Sequence, residues 1–246
     1  MKFRKYTIIF FVSILSLMPL ISYGQDIAEN ESSQNENSWI VGVTFIPSYS
    51  YRVLQAVDPS LIETRNNLET PTFGFSVGLN SSFILDSQSE IEFGALFSRE
   101  VLGYEDLSFT DMLGAPEGDL ELRMNYDYLV LPIRYRRYIS QGPRVKLFGN
   151  VGLSLKYFLT DQQQADFFFF NGEVDRMRFD DTLMFPNQLN ANFLIGFGAQ
   201  FQLRDNIVTA INPTFRYGLF SVEDDNNPVA QHNFSIGMAL NLGYSF

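Results

Sequence analysis

The chain has a single histidine, His232, and no cysteine. A histidine beside a serine is one route to acyl chemistry on lipids. The nearest serine here, Ser235, lies three residues on, so on an extended strand the two side chains point to opposite faces. The lack of cysteine removes thiolate nucleophiles, disulfides and cysteine-based metal sites. The acidic pairs Asp180–Asp181 and Asp224–Asp225, the second beside Glu223, offer hard oxygen ligands. Neither has the spacing of a calcium loop, and both read as solvated loop charge. No glycine-rich phosphate loop precedes a helix. The residues therefore predict no catalytic, cofactor-binding or metal site, no cofactor, and a protein that is not an enzyme.

The polar residues left to explain are charges set in apolar stretches: Glu92, Glu100, Arg134, Arg136, Lys146, Lys156 and Arg216. They make sense only if some element turns them all to one side, away from the apolar residues between them. That element is legible at Asn233–Phe246, where Phe234, Ile236, Met238, Leu240, Leu242, Tyr244 and Phe246 alternate with small or polar residues. This is a strict period of two, that of a strand with one apolar face.

Seven further stretches repeat the pattern: a first strand opening at Trp39, then Pro71–Leu85, about Glu90–Tyr104, Met124–Ile139, Arg144–Thr160, Leu189–Leu203 and Ile207–Phe220. In the fourth, Arg134 and Arg136 must avoid lipid, so Leu129, Leu131, Ile133 and Tyr135 face outward. Connections alternate between long (52–70, 105–123, 161–188, 221–232) and short (86–89, 140–143, 204–206). Short periplasmic turns and long external loops are the asymmetry of outer-membrane barrels. The predicted fold is all-β: an eight-stranded antiparallel up-and-down transmembrane β-barrel over residues 39–246. A soluble eight-stranded barrel with the apolar face inside is the competing architecture, since alternation alone does not tell inside from outside. Pro47, Pro132 and Pro213 fall within strands, where bulges are expected.

The ends of the chain agree with that location. Lys2, Arg4 and Lys5 precede an apolar run, and Ser22-Tyr23-Gly24 resembles a signal-peptidase site. Residues 1–24 are thus predicted to be a signal peptide removed after Sec-dependent export, and 25–38, polar and acidic, a disordered periplasmic leader. The full chain has 17 basic and 28 acidic residues; removing the three basic residues of the signal leaves a net charge of −14. A nucleic-acid partner is therefore not expected. Tyr244 and Phe246 resemble the C-terminal insertion signal of outer-membrane barrels, which implies outer-membrane lipid and the barrel assembly machinery as partners.

A narrower likeness lies in Tyr128-Leu129-Val130-Leu131-Pro132-Ile133. It resembles the Tyr-Leu-x-Ile/Leu-Pro-Leu segment of the small PorT-like outer-membrane barrels, which often carry Glu where this chain has Val130. The residues point to a barrel acting structurally or binding through its extracellular loops; the resemblance implies the alternative, an accessory component of a secretion or transport system with a protein partner. Eight strands leave room only for side chains, so the seven inward charges should pair and plug the lumen, with no open pore. Basic groups outnumber acidic ones five to two in that set, and Arg136 and Lys146, close to the short turns, can reach the periplasm. Phe167-Phe168-Phe169-Phe170, in the longest loop, is read either as rings covered by the loops or as a contact site for a partner or lipid.

Overall fold

The computed structural model describes residues 39–246 except 57, 111–115, 143, 181–187 and 222–228. The predicted signal peptide and leader lie outside the described residues. So do Asp181, Glu223, Asp224 and Asp225 and the side chain of Asp180.

Among the described residues nine strands and one helix follow in order: β1 (Trp39–Ala56), α1 (Pro59–Leu68), β2 (Glu69–Asp86), β3 (Ser89–Thr110), β4 (Pro116–Gln141), β5 (Val145–Phe169), β6 (Val174–Asp180), β7 (Leu189–Arg204), β8 (Ile207–Gly218) and β9 (Val229–Ser245). Eight of them close a ring. β1 pairs with β2 and β9, β4 with β5, and β5 with β7, all antiparallel, while β6 pairs only with β5. The seam between β1 and β9 runs from Ile40↔Ser245 to Ala56↔Val229. Beyond it, Phe246 N–H donates to Trp39 O at 2.9 Å.

The wall settles inside from outside. Val43, Leu79, Ile133, Leu153, Phe197 and Leu242 are exposed on the outer surface, whereas Thr44, Asn80, Arg134, Ser154 and Asn241 are buried within. The apolar face is outward throughout the span, which suits lipid and excludes the soluble alternative. No helix among the described residues is long and apolar enough to cross a membrane.

At one end the connections are tight. In the β2–β3 turn the Asp86 carboxylate accepts from Gln88 N–H at 2.6 Å and from the Ser89 hydroxyl at 2.5 Å, an Asx turn that fixes the hairpin register. At the other end the expected loops are largely ordered. The 52–70 connection carries β1 on to Ala56 and then forms α1, whose first turn is capped by Asp58 accepting from Ser60 N–H at 2.9 Å. The 105–123 and 161–188 loops are mostly continued strand: β3 and β4 pair out to Thr110↔Pro116, and β4 and β5 to Gly118↔Phe169. The β5–β6 hairpin turns at Gly172, whose φ of +89° is accessible to glycine at little cost.

The bulges expected at the three prolines are absent. Pro47, Pro132 and Pro213 keep one partner each, Phe75, Ser154 and Met238. On the other side the ladder lapses and resumes in the same register, as between Phe93↔Ile133 and Leu96↔Val130. A proline lacks one donor, and that donor serves one neighbour only, so one side is enough to lose. At Pro132 the register brings Gly94 opposite, and a Cβ there would stand 3.1 Å from the proline Cγ. The missing side chain makes room for the ring. Shifts fall instead at places such as Asp127/Tyr128 against β5 and Tyr104/Leu107 on β3, where the wall rises out of the span.

Candidate functional site

Two regions hold the candidate residues: the lumen and the sheet that stands above one side of it.

In the lumen, β3 and β4 place Glu90 opposite Arg136 and Glu92 opposite Arg134. The Arg136 guanidinium binds both carboxylates, with Glu90 at 2.5 Å, and lies over the Phe148 ring at 4.2 Å. Arg134 stands 3.3 Å from Glu92. The Tyr138 hydroxyl is 2.8 Å from both Glu90 and Gln200. Further along, Lys156 donates to Glu100 at 2.6 Å, with its ammonium 3.7 Å above the Tyr128 ring. Asn233 also donates to Glu100, at 3.3 Å. These side chains lie deep in a low-dielectric interior, where an unpaired charge is costly and a paired, hydrogen-bonded one is tolerated.

Five of the seven predicted lumen charges are thus brought into ion pairs: Glu92, Glu100, Arg134, Arg136 and Lys156. Arg216 instead reaches across to donate to the Ser76 hydroxyl at 3.0 Å. Lys146 stays partly exposed near the turns, 5.3 Å from the Tyr138 ring. The expectation that Arg136 reaches the periplasm is wrong, because it is almost wholly buried between two carboxylates. The five-to-two excess of base is also corrected, since Glu90 is a lumen carboxylate. Arg52 and Glu69, both read as loop residues, form a further buried ion pair. Apolar side chains complete the filling. Ile46, Leu96, Tyr128, Val130 and Ala239 make one buried cluster, and Tyr138, Phe148 and Ala210 another.

Above the span, the wall inverts its polarity. On β4 the outward residues change from Leu129, Leu131 and Ile133 to Asp127, Arg123, Glu121 and Asp119. The inward ones change from Arg136 and Arg134 to Met124, Leu122 and Leu120. The exchange occurs at Asp127, whose carboxylate is buried under the partly exposed Arg99 side chain, at 2.6 Å. An outer surface that stops being apolar marks where lipid stops. On β5 the one-residue shift after Phe158 turns Ala165, Phe167 and Phe169 to the same side as Leu120 and Leu122. The outer parts of β3, β4 and β5, with β6, therefore form a sheet with an apolar face toward the barrel axis and a charged face away from it.

The four consecutive phenylalanines divide along that line. Phe167 and Phe169 meet Phe109 of β3 edge-to-face, at 5.4 Å and 5.2 Å between ring centroids. Phe168 and Phe170 are exposed, Phe170 at 68%. On the charged face Arg176 donates to Asp166 at 2.7 Å and holds that carboxyl below its ordinary value of 3.8. His232 faces outward, stacked on Tyr217 at 6.1 Å, with Nδ1 3.2 Å from Gly218 O. Ser235 is buried on the opposite face of β9, so the two form no dyad. Among the described residues no group of three or more metal-ligating side chains converges. Tyr244 and Phe246 meet edge-to-face on the outer wall, 5.0 Å between ring centroids.

A closed ring of eight antiparallel strands, apolar outside and polar within, with tight turns at one end and tall hairpins at the other, defines an outer-membrane β-barrel. The chain belongs to the outer membrane protein beta-barrel domain family, whose model matches residues 25–246. Its location is the outer membrane. No curated protein matches the chain significantly. Among solved structures it is similar to the attachment invasion locus protein Ail of Yersinia pestis, at 15% identity over 86% of this chain and 99% of that one, with a TM-score of 0.33. It is similar to the N-terminal β-barrel domain of Pseudomonas aeruginosa OprF at 11% identity, over 87% and 100%, with a TM-score of 0.40. It is similar to the outer membrane protease OmpT of Escherichia coli at 9% identity, over 89% and 99%, with a TM-score of 0.38.

Proposed function

We propose that this is a non-enzymatic barrel whose lumen passes no solute and whose work is binding, carried out by the β3–β6 sheet beyond the membrane surface. The observation that carries the reading is the divided phenylalanine run. Phe167 and Phe169 brace the sheet through Phe109, while Phe168 and Phe170 are left in water on a tall hairpin. Exposing a large aromatic side chain forgoes about 1.5–3 kcal/mol of burial, which a bound partner would recover. The separation of His232 from Ser235 supports the non-enzymatic part.

In this reading residues 1–24 direct Sec-dependent export and are removed, and Tyr244 and Phe246 present the finished strand to the assembly machinery. The geometry around Phe246, hydrogen-bonded to Trp39 at the seam, fits that role. Phe246→Asp should accumulate as unfolded periplasmic protein, and normal folded levels in the outer membrane would remove the proposal. The likeness of Tyr128–Ile133 to PorT-like barrels supports a secretion-system component as the kind of partner to look for.

The binding test is capture from intact cells with a photo-crosslinking residue at Phe170. The reading expects a discrete partner protein from position 170 and none from Leu153 on the lipid-facing wall. Identical products from both positions would contradict it.

A further inference from the structure

β6 stands outside the ring, and among the described residues its second edge has no strand beside it. Its hydrogen-bonding phase can be read from the hairpin. Phe169 N–H donates to Glu173 O at 2.9 Å. In an antiparallel ladder such pairs recur every second residue, here Phe167–Asp175, Ala165–Met177 and Gln163–Phe179. The N–H and C=O groups of Val174, Arg176 and Arg178 are therefore the ones directed at the free edge.

From 176 to 179 the side chains on that edge are sorted by face, while Asp175 lies on the Met177 side and Val174 on the arginine side. Met177 and Phe179, both exposed, lie on the side continuous with the apolar face of the sheet. Arg176 and Arg178 lie on the charged side. Arg176 is shared with Asp166, whereas Arg178 is exposed and lacks an ion pair among the described side chains.

We propose that this edge receives one extended segment of a different protein, added as a strand, with apolar residues over Met177 and Phe179 and acidic residues beside Arg176 and Arg178. The inference rests on the binding role proposed above and names its site and partner chemistry. A second copy of this chain is the wrong occupant. Two β6 edges related by a two-fold axis pair residues of the same face. The register centred on Met177 sets Arg176 against Arg178, the one centred on Arg176 sets Arg176 against itself, and the one centred on Arg178 does likewise. Like charges directly opposite destabilise a strand pair. The register centred on Asp175 sets that carboxylate against itself, so like charges oppose self-association there too, and the arginine face is left open to an acidic strand.

The test uses the full-length barrel in lipid nanodiscs and two fluorescent seven-residue peptides, one alternating valine with glutamate and one alternating valine with lysine. A chain of net charge −11 repels acidic peptides in general, so preference for the glutamate peptide is discriminating. Wild type should bind the glutamate peptide about tenfold more tightly than the lysine peptide. Arg178→Glu should reverse that order, and N-methylation of the glutamate peptide at alternate amides should abolish binding. Equal binding of the two peptides, or no effect of Arg178→Glu, overturns the proposal. So does disulfide linkage between two copies of Arg178→Cys, a clean probe because the chain has no cysteine of its own. Capture from position 170 that survives Arg178→Glu would leave the binding role standing and remove only the edge as its site.

Discussion

Arg136 is held by Glu90 and Glu92 with its guanidinium over the Phe148 ring, and that arrangement explains how a narrow lumen tolerates charge. Removing one partner of a buried pair leaves the other uncompensated, at a cost of about 3–5 kcal/mol. Glu92→Gln, which strands part of the charge on both Arg134 and Arg136, should lower unfolding stability in detergent by that order, read from the fluorescence of Trp39, the sole tryptophan. Lys146→Gln, at a partly exposed residue without an ion pair, should change it by less than about 0.5 kcal/mol. Similar effects of the two substitutions would contradict the lattice. Glu92, Arg134 and Arg136 were legible because charge in an apolar alternation must point inward. Glu90 was not, because it stands at the mouth of a turn where carboxylates are usually solvated. Arg52 and Glu69 were missed for a different reason. Their strands continue past the span, where the outward apolar signal ends and the sequence reads as loop.

The β3–β6 sheet is held by Phe109, gripped between Phe167 and Phe169. Phe109→Ala should cost the sheet about 1.5–3 kcal/mol of local stability and open β6 to trypsin at Arg176 and Arg178. The double substitution Phe168→Ser, Phe170→Ser should leave cleavage at the wild-type rate. Acid should loosen the same hairpin. Arg176 holds the Asp166 carboxyl below 3.8, so the pair contributes stability that is fully present above that pH. The contribution is lost as pH falls through the lower folded value. Exchange of the β6 amides, corrected for intrinsic rates, should therefore rise below about pH 4 in wild type, and this acid step should vanish in Asp166→Asn. This sheet was the least legible element of the chain. Its alternation is present in Leu120, Leu122 and Met124 against Asp119, Glu121 and Arg123, but with the opposite sense to the span below. A reading anchored on apolar-outward strands passes over it as loop. The proline expectation failed on similar grounds: a lost donor was taken to demand a register shift, whereas Gly94 opposite Pro132 accommodates the ring without one.

At the scale of the whole molecule, eight ring strands leave an interior about wide enough for side chains to fill. That interior holds the Glu90–Glu92–Arg134–Arg136 lattice, the Lys156–Glu100 pair, and two apolar clusters built on Leu96 and Phe148. The expected plug was ion pairs, with polar side chains, backbone carbonyls or water for the surplus base; Arg216 does donate to the Ser76 hydroxyl, and the two apolar clusters add packed side chains that were not expected. The strands of the ring were legible from period-two alternation, and the outward turn of the apolar face from the charges it leaves opposite, Arg134 and Arg136 above all. The fill was only half so: Leu96 and Val130 fall on the inward side of their strands with Glu92 and Arg134, but which inward residues meet across the lumen depends on the register. A closed barrel that acts through the sheet above it is put to the test by single-protein conductance in planar lipid bilayers. No stable conductance in the nanosiemens range is expected. A steady channel of about a nanosiemens, blocked by a bulky side chain at Gly196 in the lumen wall, would contradict it.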